Sequence, residues 1–121
     1  MQDKAFHMTM LFDFYGDLLT DRQKEFFDLY YNDDLSLAEI AENAGITRQG
    51  VRDVLVRSEA ILNEMEEKTG IVARFLEMQK LSTEIDNAAC QIMTINEERY
   101  ESTDLMRLAQ EIRDCASKLK E

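Results

Sequence analysis

The stretch Leu35–Glu59, LSLAEIAENAGITRQGVRDVLVRSE, decides the fold. Ser36 followed three residues later by Glu39 is a capping box, in which a hydroxyl and a carboxylate each take a backbone N–H at a helix start. That helix is short, because Ala44-Gly45 brings in a residue that accepts positive φ where the chain must turn. Thr47 then offers a second N-cap hydroxyl, and apolar residues resume at Val51, Val54, Leu55, Ile61 and Leu62 with helical spacing. Two helices joined by a short turn containing Gly form a helix-turn-helix. The pattern turns Ile40, Ala44, Ile46, Val51 and Val54 inward. Ala41 falls at the helix crossing, where only a small side chain lets two backbones approach.

Upstream, Thr20-Asp21-Arg22-Gln23 is another capping box. It opens a helix to about Tyr31, with Phe26, Phe27, Leu29 and Tyr30 on its core face. Before it, a helix from Lys4 to about Leu19 is apolar over most of its circumference, which predicts burial on more than one side. Asp33-Asp34 reads as a solvated turn rather than a pair of carboxylates for acid–base work. Adjacent side chains point apart, and no nucleophile accompanies them.

Downstream, the second helix of the motif continues to about Thr69 and ends at Gly70. From there, positions 71, 75, 78, 82, 85, 89 and 92 recur at alternating spacings of four and three, the seam of a coiled-coil-like helix. Residues 96–102 are polar and read as a turn or frayed joint. Leu105, Leu108, Ile112, Cys115 and Leu119 repeat the alternation, so the tail is expected to be an αα-hairpin. The expected fold is all-α. Residues 1–69 form a helix-turn-helix domain without a wing, and residues 70–121 form a helical extension.

Composition narrows the function classes. With no proline and four glycines, the chain favours helix throughout. No apolar run is long enough to span a membrane, and MQDKAFHMTMLFDFYG has no small-residue cleavage site. The expected location is therefore the cytoplasm, with Cys90 and Cys115 reduced. One histidine, His7, and two cysteines do not make a structural zinc site. Phosphate-cradling glycine loops and Ser-His-Asp sets are missing from the sequence, and Met65, Met78, Met93 and Met106 read as gap fillers between helices. No enzyme activity, cofactor, metal or small-molecule substrate is expected.

Charge gives a mixed signal. The net charge is −11, with 12 acids and 6 bases in residues 1–59, unlike the basic surface usual in nucleic-acid binders. Within the second helix of the motif, however, Arg48, Arg52 and Arg57 face only Asp53 and Glu59. With Val51, Val54 and Leu55 turned inward, the candidate contacts to double-stranded DNA are Thr47, Arg48, Gln49, Arg52, Asp53 and Arg57. Thr47 caps a helix whose N-terminal N–H groups can hold a phosphate. Arg48 and Arg52 can grip the O6/N7 edge of guanine, Gln49 can read adenine, and Asp53 can accept from cytosine. Arg57, farther along, is a phosphate contact or a solvated side chain.

SLAEIAENAGITRQGVRDVLVR resembles region four of bacterial primary sigma factors, the part that reads the upstream promoter element. With Leu18-Leu19-Thr20 and Gln23 ahead of it, and with Leu29 through Ala41, the chain resembles the YlxM family more closely still, over roughly residues 5 to 68. Arg52 and Val54 follow the sigma pattern rather than the Tyr and Asn expected of YlxM. YlxM proteins are small, bacterial and encoded beside the signal recognition particle GTPase, so this resemblance implies a second reading. In it the chain is a protein-interaction component of the signal recognition particle pathway. Either way, the surplus apolar surface of the first helix and the tail predicts a homodimer held by those two parts.

Overall fold

A computed structural model describes residues 4–120. Among them the chain forms six α-helices and no strand. These are α1 (Lys4–Tyr15), α2 (Asp21–Tyr31), α3 (Leu37–Ala44), α4 (Arg48–Thr69), α5 (Ile71–Ile95) and α6 (Thr103–Lys118). The chain is all-α, as its sequence predicts. It divides into two compact units, one reaching Val72 and the other beginning at Ala73.

The first unit is set by its caps. The Thr20 hydroxyl accepts the Gln23 N–H at 3.2 Å while the Gln23 side chain accepts the Thr20 N–H at 2.9 Å. Ser36 and Glu39 repeat the exchange at 3.1 and 2.9 Å, and these bonds hold the Glu39 carboxyl below the usual carboxylate range. Thr47 accepts the Gly50 N–H at 2.9 Å. Between α3 and α4, Gly45 takes φ 71°, and Gly70 takes φ 64° at the end of α4.

α4 buries Val51, Leu55, Ser58 and Leu62, spaced four, three and four residues apart, which is one continuous helical stripe. Met8, Leu11 and Tyr15 of α1, Phe26 and Phe27 of α2, and Ile40 and Ala41 of α3 share its core. Full burial of such aliphatic and aromatic side chains stabilises by about 1.5–3 kcal/mol each. Ala44, Ile46 and Val54 are half-buried and pack against this core rather than within it.

α1 is shorter than its apolar pattern suggests. It ends at Tyr15 and tightens into a 3-10 turn over Gly16–Leu18. Gly16 permits the close approach at this turn, since a Cβ there would stand 3.3 Å from the Phe12 ring. Tyr15 then ties α1 to the far end of α4. Its hydroxyl donates to Glu66 Oε1 at 2.6 Å and lies 2.7 Å from Thr69 Oγ1. The same carboxylate oxygen accepts the Val72 N–H at 3.0 Å, capping the start of α5.

The second unit is a helical hairpin, and its seam is the expected one only in part. Positions 82 and 89 are buried, while the large apolar positions of that seam on both helices are not. α5 and α6 meet through Ser82 and Ala89 on one side and Ala109 and Ala116 on the other, with Asn96 buried just past the end of α5. Ser82 donates to the Ala116 carbonyl at 2.5 Å, and Arg113 bridges to Asp86 at 2.9 Å. The turn is ordered rather than frayed. Asn96 donates to the Ser102 carbonyl at 2.9 Å and accepts the Ser102 N–H at 2.8 Å. Small and polar residues take the contact because they let the helices close, and this leaves the large apolar residues outside. Leu105, Leu108, Ile112 and Leu119 are each about two-fifths exposed.

Ala41, 5% exposed in the core shared by α3 and α4, has no room for a larger side chain. Ala41→Leu is expected to destabilise by about 1–3 kcal/mol in urea melts. A variant as stable as the parent would place the helix crossing elsewhere.

Candidate nucleic-acid interface

The outer face of α4 follows from its buried stripe. With Val51, Leu55, Ser58 and Leu62 facing the core, Arg48, Gln49, Arg52, Asp53, Val56 and Arg57 are exposed. Thr47 precedes them as the cap, and the positive end of the helix dipole emerges beside it. All six residues expected from sequence therefore lie on or at the start of this one helix. Gln49 donates to Asp53 Oδ1 at 2.9 Å, so these two present a joined acceptor edge rather than separate readers.

The charges sort themselves around this face. Lys4 pairs with Glu59 at 3.1 Å, Lys24 with Asp17 at 3.2 Å and Lys68 with Glu64 at 3.0 Å. Arg22 lies over the Phe26 ring, 5.2 Å from its centroid. Among the described cations of the first unit, Arg48, Arg52 and Arg57 are left with neither an ion pair nor an aromatic ring. Glu59, which sequence sets against them, is drawn aside. Tyr31 donates to its second oxygen at 2.5 Å while Lys4 holds the first.

Two residues escape the sequence reading. Val56, 49% exposed, is a large apolar side chain on the outward face, beside Arg52 and Tyr30 in a groove of about 510 Å³. Helical spacing from Val51 and Leu55 already turned it outward, but an apolar residue attracts no notice as a contact. Arg22 lines a shallow groove with Thr20, Gln23 and Arg57 on the opposite flank. It comes from a different helix, and only folding brings it to Arg57.

A family model described as helix-turn-helix protein, YlxM / p13 like, matches residues 2–103. The chain belongs to the UPF0122 family. The match reaches well past the motif and takes in all of α5. A UPF0122 protein of Acetivibrio thermocellus is 52% identical over 83 residues, covering 69% of this chain and 71% of that protein. One from Thermoanaerobacter is 43% identical over 112 residues, covering 93% and 92%. One from Bacillus cereus is 44% identical over 98 residues, covering 81% and 89%. No helix among the described residues of this UPF0122 chain is long and apolar enough to cross a membrane.

The Tyr31–Glu59 bond makes this flank sensitive to alkali. Burial first, then the Glu59 carboxylate, raises the Tyr31 phenol well above its ordinary range. A raised phenol pKa contributes stability that is complete below the ordinary value and is lost as pH rises through the folded one. Stability should therefore fall from about pH 10 upward. Tyr31→Phe should cost about 1 kcal/mol near neutral pH by leaving a carboxylate oxygen without its donor. It should also flatten the alkaline decline. Urea melts across this range check both, and an unchanged alkaline slope would remove Tyr31 from that role.

Proposed function

We propose that this chain is a sequence-specific DNA-binding regulator that lays α4 in the major groove. The carrying observation is the set of three arginines exposed along α4 without ion pairs, in a chain where acids outnumber bases 25 to 14. Elsewhere in the first unit, cations are matched locally, and here they are held open. Arg48 and Arg52 reach guanine edges, and the joined Gln49–Asp53 edge accepts from cytosine or adenine amino groups. Val56 suits the thymine methyl group. Arg57 with Arg22 takes backbone phosphate, and Thr47 orders the helix start beside another. A homodimer would present two such helices to half-sites about 34–36 Å apart.

The net charge of −11 favours a second reading, in which the same face meets a protein. The partner in that reading belongs to the signal recognition particle pathway, and Arg48 and Arg52 pair with its carboxylates. The first reading predicts weak non-specific DNA binding, since that part of the affinity is almost wholly electrostatic.

Selection from random duplexes at low salt separates the two. A preferred sequence is expected, with Arg48→Ala and Arg52→Ala each losing about 1–3 kcal/mol of discrimination. Arg57→Ala and Arg22→Ala should weaken binding evenly across sequences and reduce the salt slope by about one each. Absence of any preferred duplex would overturn the DNA reading in favour of the protein partner.

A further inference from the structure

We propose that the exposed apolar face of the α5–α6 hairpin is where a second copy of this chain docks, so that two hairpins enclose one four-helix core. The proposal stands apart from the DNA reading and rests on how the hairpin distributes its side chains. Its interior holds Ser82, Ala89, Asn96, Ala109 and Ala116, and none of these is a large apolar residue. Met93 and Met106 are half-buried, and seven other large residues stand in two rows beside that seam. Met78, Ile85 and Ile92 of α5 are 40%, 41% and 41% exposed. Leu105, Leu108, Ile112 and Leu119 of α6 are 38%, 45%, 40% and 41% exposed. The rows converge on an apolar groove of about 610 Å³ lined by Ile85, Leu108, Ile112, Cys115 and Leu119.

Size argues for an interface. Together the two rows leave roughly 500–600 Å² of apolar surface in water, at the upper end of what a monomer ordinarily shows. With a polar rim this approaches the roughly 800 Å² that each partner contributes to a standard stable interface. Stability argues for the occupant. Two helices whose fully buried contacts are Ala, Ser and Asn bury too little apolar surface to hold together well. A partner that came and went would leave the hairpin without a core between encounters, whereas a second copy is present whenever the chain is. The geometry also fits. Contacts between residues 82 and 116, 86 and 113, and 96 and 102 make the two helices antiparallel. A two-fold axis over the groove then sets two equal pairs of apolar rows against each other, the arrangement of an antiparallel four-helix bundle.

Light scattering of the full chain tests this. The expected mass is twice the 14.1 kDa of one chain. Leu108→Glu with Ile112→Glu should weaken association more than about 100-fold, because each chain would bring two charges into an apolar core. Thr83→Glu should leave the mass unchanged, because Thr83 lies two residues from both Leu81 and Ile85 and so points away from their face. If the double variant loses helix, the unmodified chain still decides the matter: its melting temperature should rise with protein concentration. A monomer at about 100 µM with a concentration-independent melt overturns the proposal, as does a double variant that dimerises like the parent.

Discussion

The buried stripe of α4 is the constraint on which the first unit depends. Val51, Leu55, Ser58 and Leu62 fix the rotation of the helix, and α1, α2 and α3 all contribute to the core around them. Ser58 is fully buried yet keeps its hydroxyl satisfied by donating to the Val54 carbonyl at 2.8 Å within its own helix. A small residue there lets the neighbouring helices close without leaving a polar group unpaired. Once the inward stripe is fixed, the outward face has no freedom. Arg48, Gln49, Arg52, Asp53 and Val56 point to solvent because the core residues between them do not.

Two tyrosine–carboxylate contacts hold that rotation along its length. Tyr15 reaches Glu66 and Thr69 near the C-terminal end, and Tyr31 reaches Glu59 nearer the middle. Both join a part-buried hydroxyl to an acid of α4, where the bond is stronger than it would be in water. The second contact also has an electrostatic effect. By holding Glu59 with Tyr31 and Lys4, the fold keeps that carboxylate from pairing with Arg52, two turns earlier. An acidic chain thereby retains a local positive face, which a total charge cannot describe.

The hairpin is organised by different physics. Close approach of two helices favours small side chains at the contact, and Ser82, Ala89, Ala109 and Ala116 supply them. The larger residues of the same heptad-like pattern are displaced to a neighbouring face. One unit therefore gains its stability from a core inside the chain, while the other holds most of its apolar surface outside its own contact.

Much of this was legible in the sequence. The capping boxes at Thr20 and Ser36, the Thr47 cap and the glycines at 45 and 70 are local chemistry. Each acts on residues within a few positions of itself, so helix starts and stops follow without knowledge of the fold. The outward set on α4 follows from helical periodicity in the same way. Tertiary structure decided what periodicity leaves open. An apolar repeat says that a helix has a buried side, but not what covers it, so Leu105, Leu108, Ile112 and Leu119 read as a seam and proved to be an exposed row. It also decided that Arg22 of α2 stands beside Arg57, that Glu59 is taken by Tyr31 and Lys4, and that Gly16 closely approaches the Phe12 ring. The bonds to Glu59 and the approach of Arg22 to Arg57 join residues 28 or more positions apart, so packing brings them together. The close approach at Gly16 is local in sequence, but it depends on where the Phe12 ring lies, and periodicity does not give that.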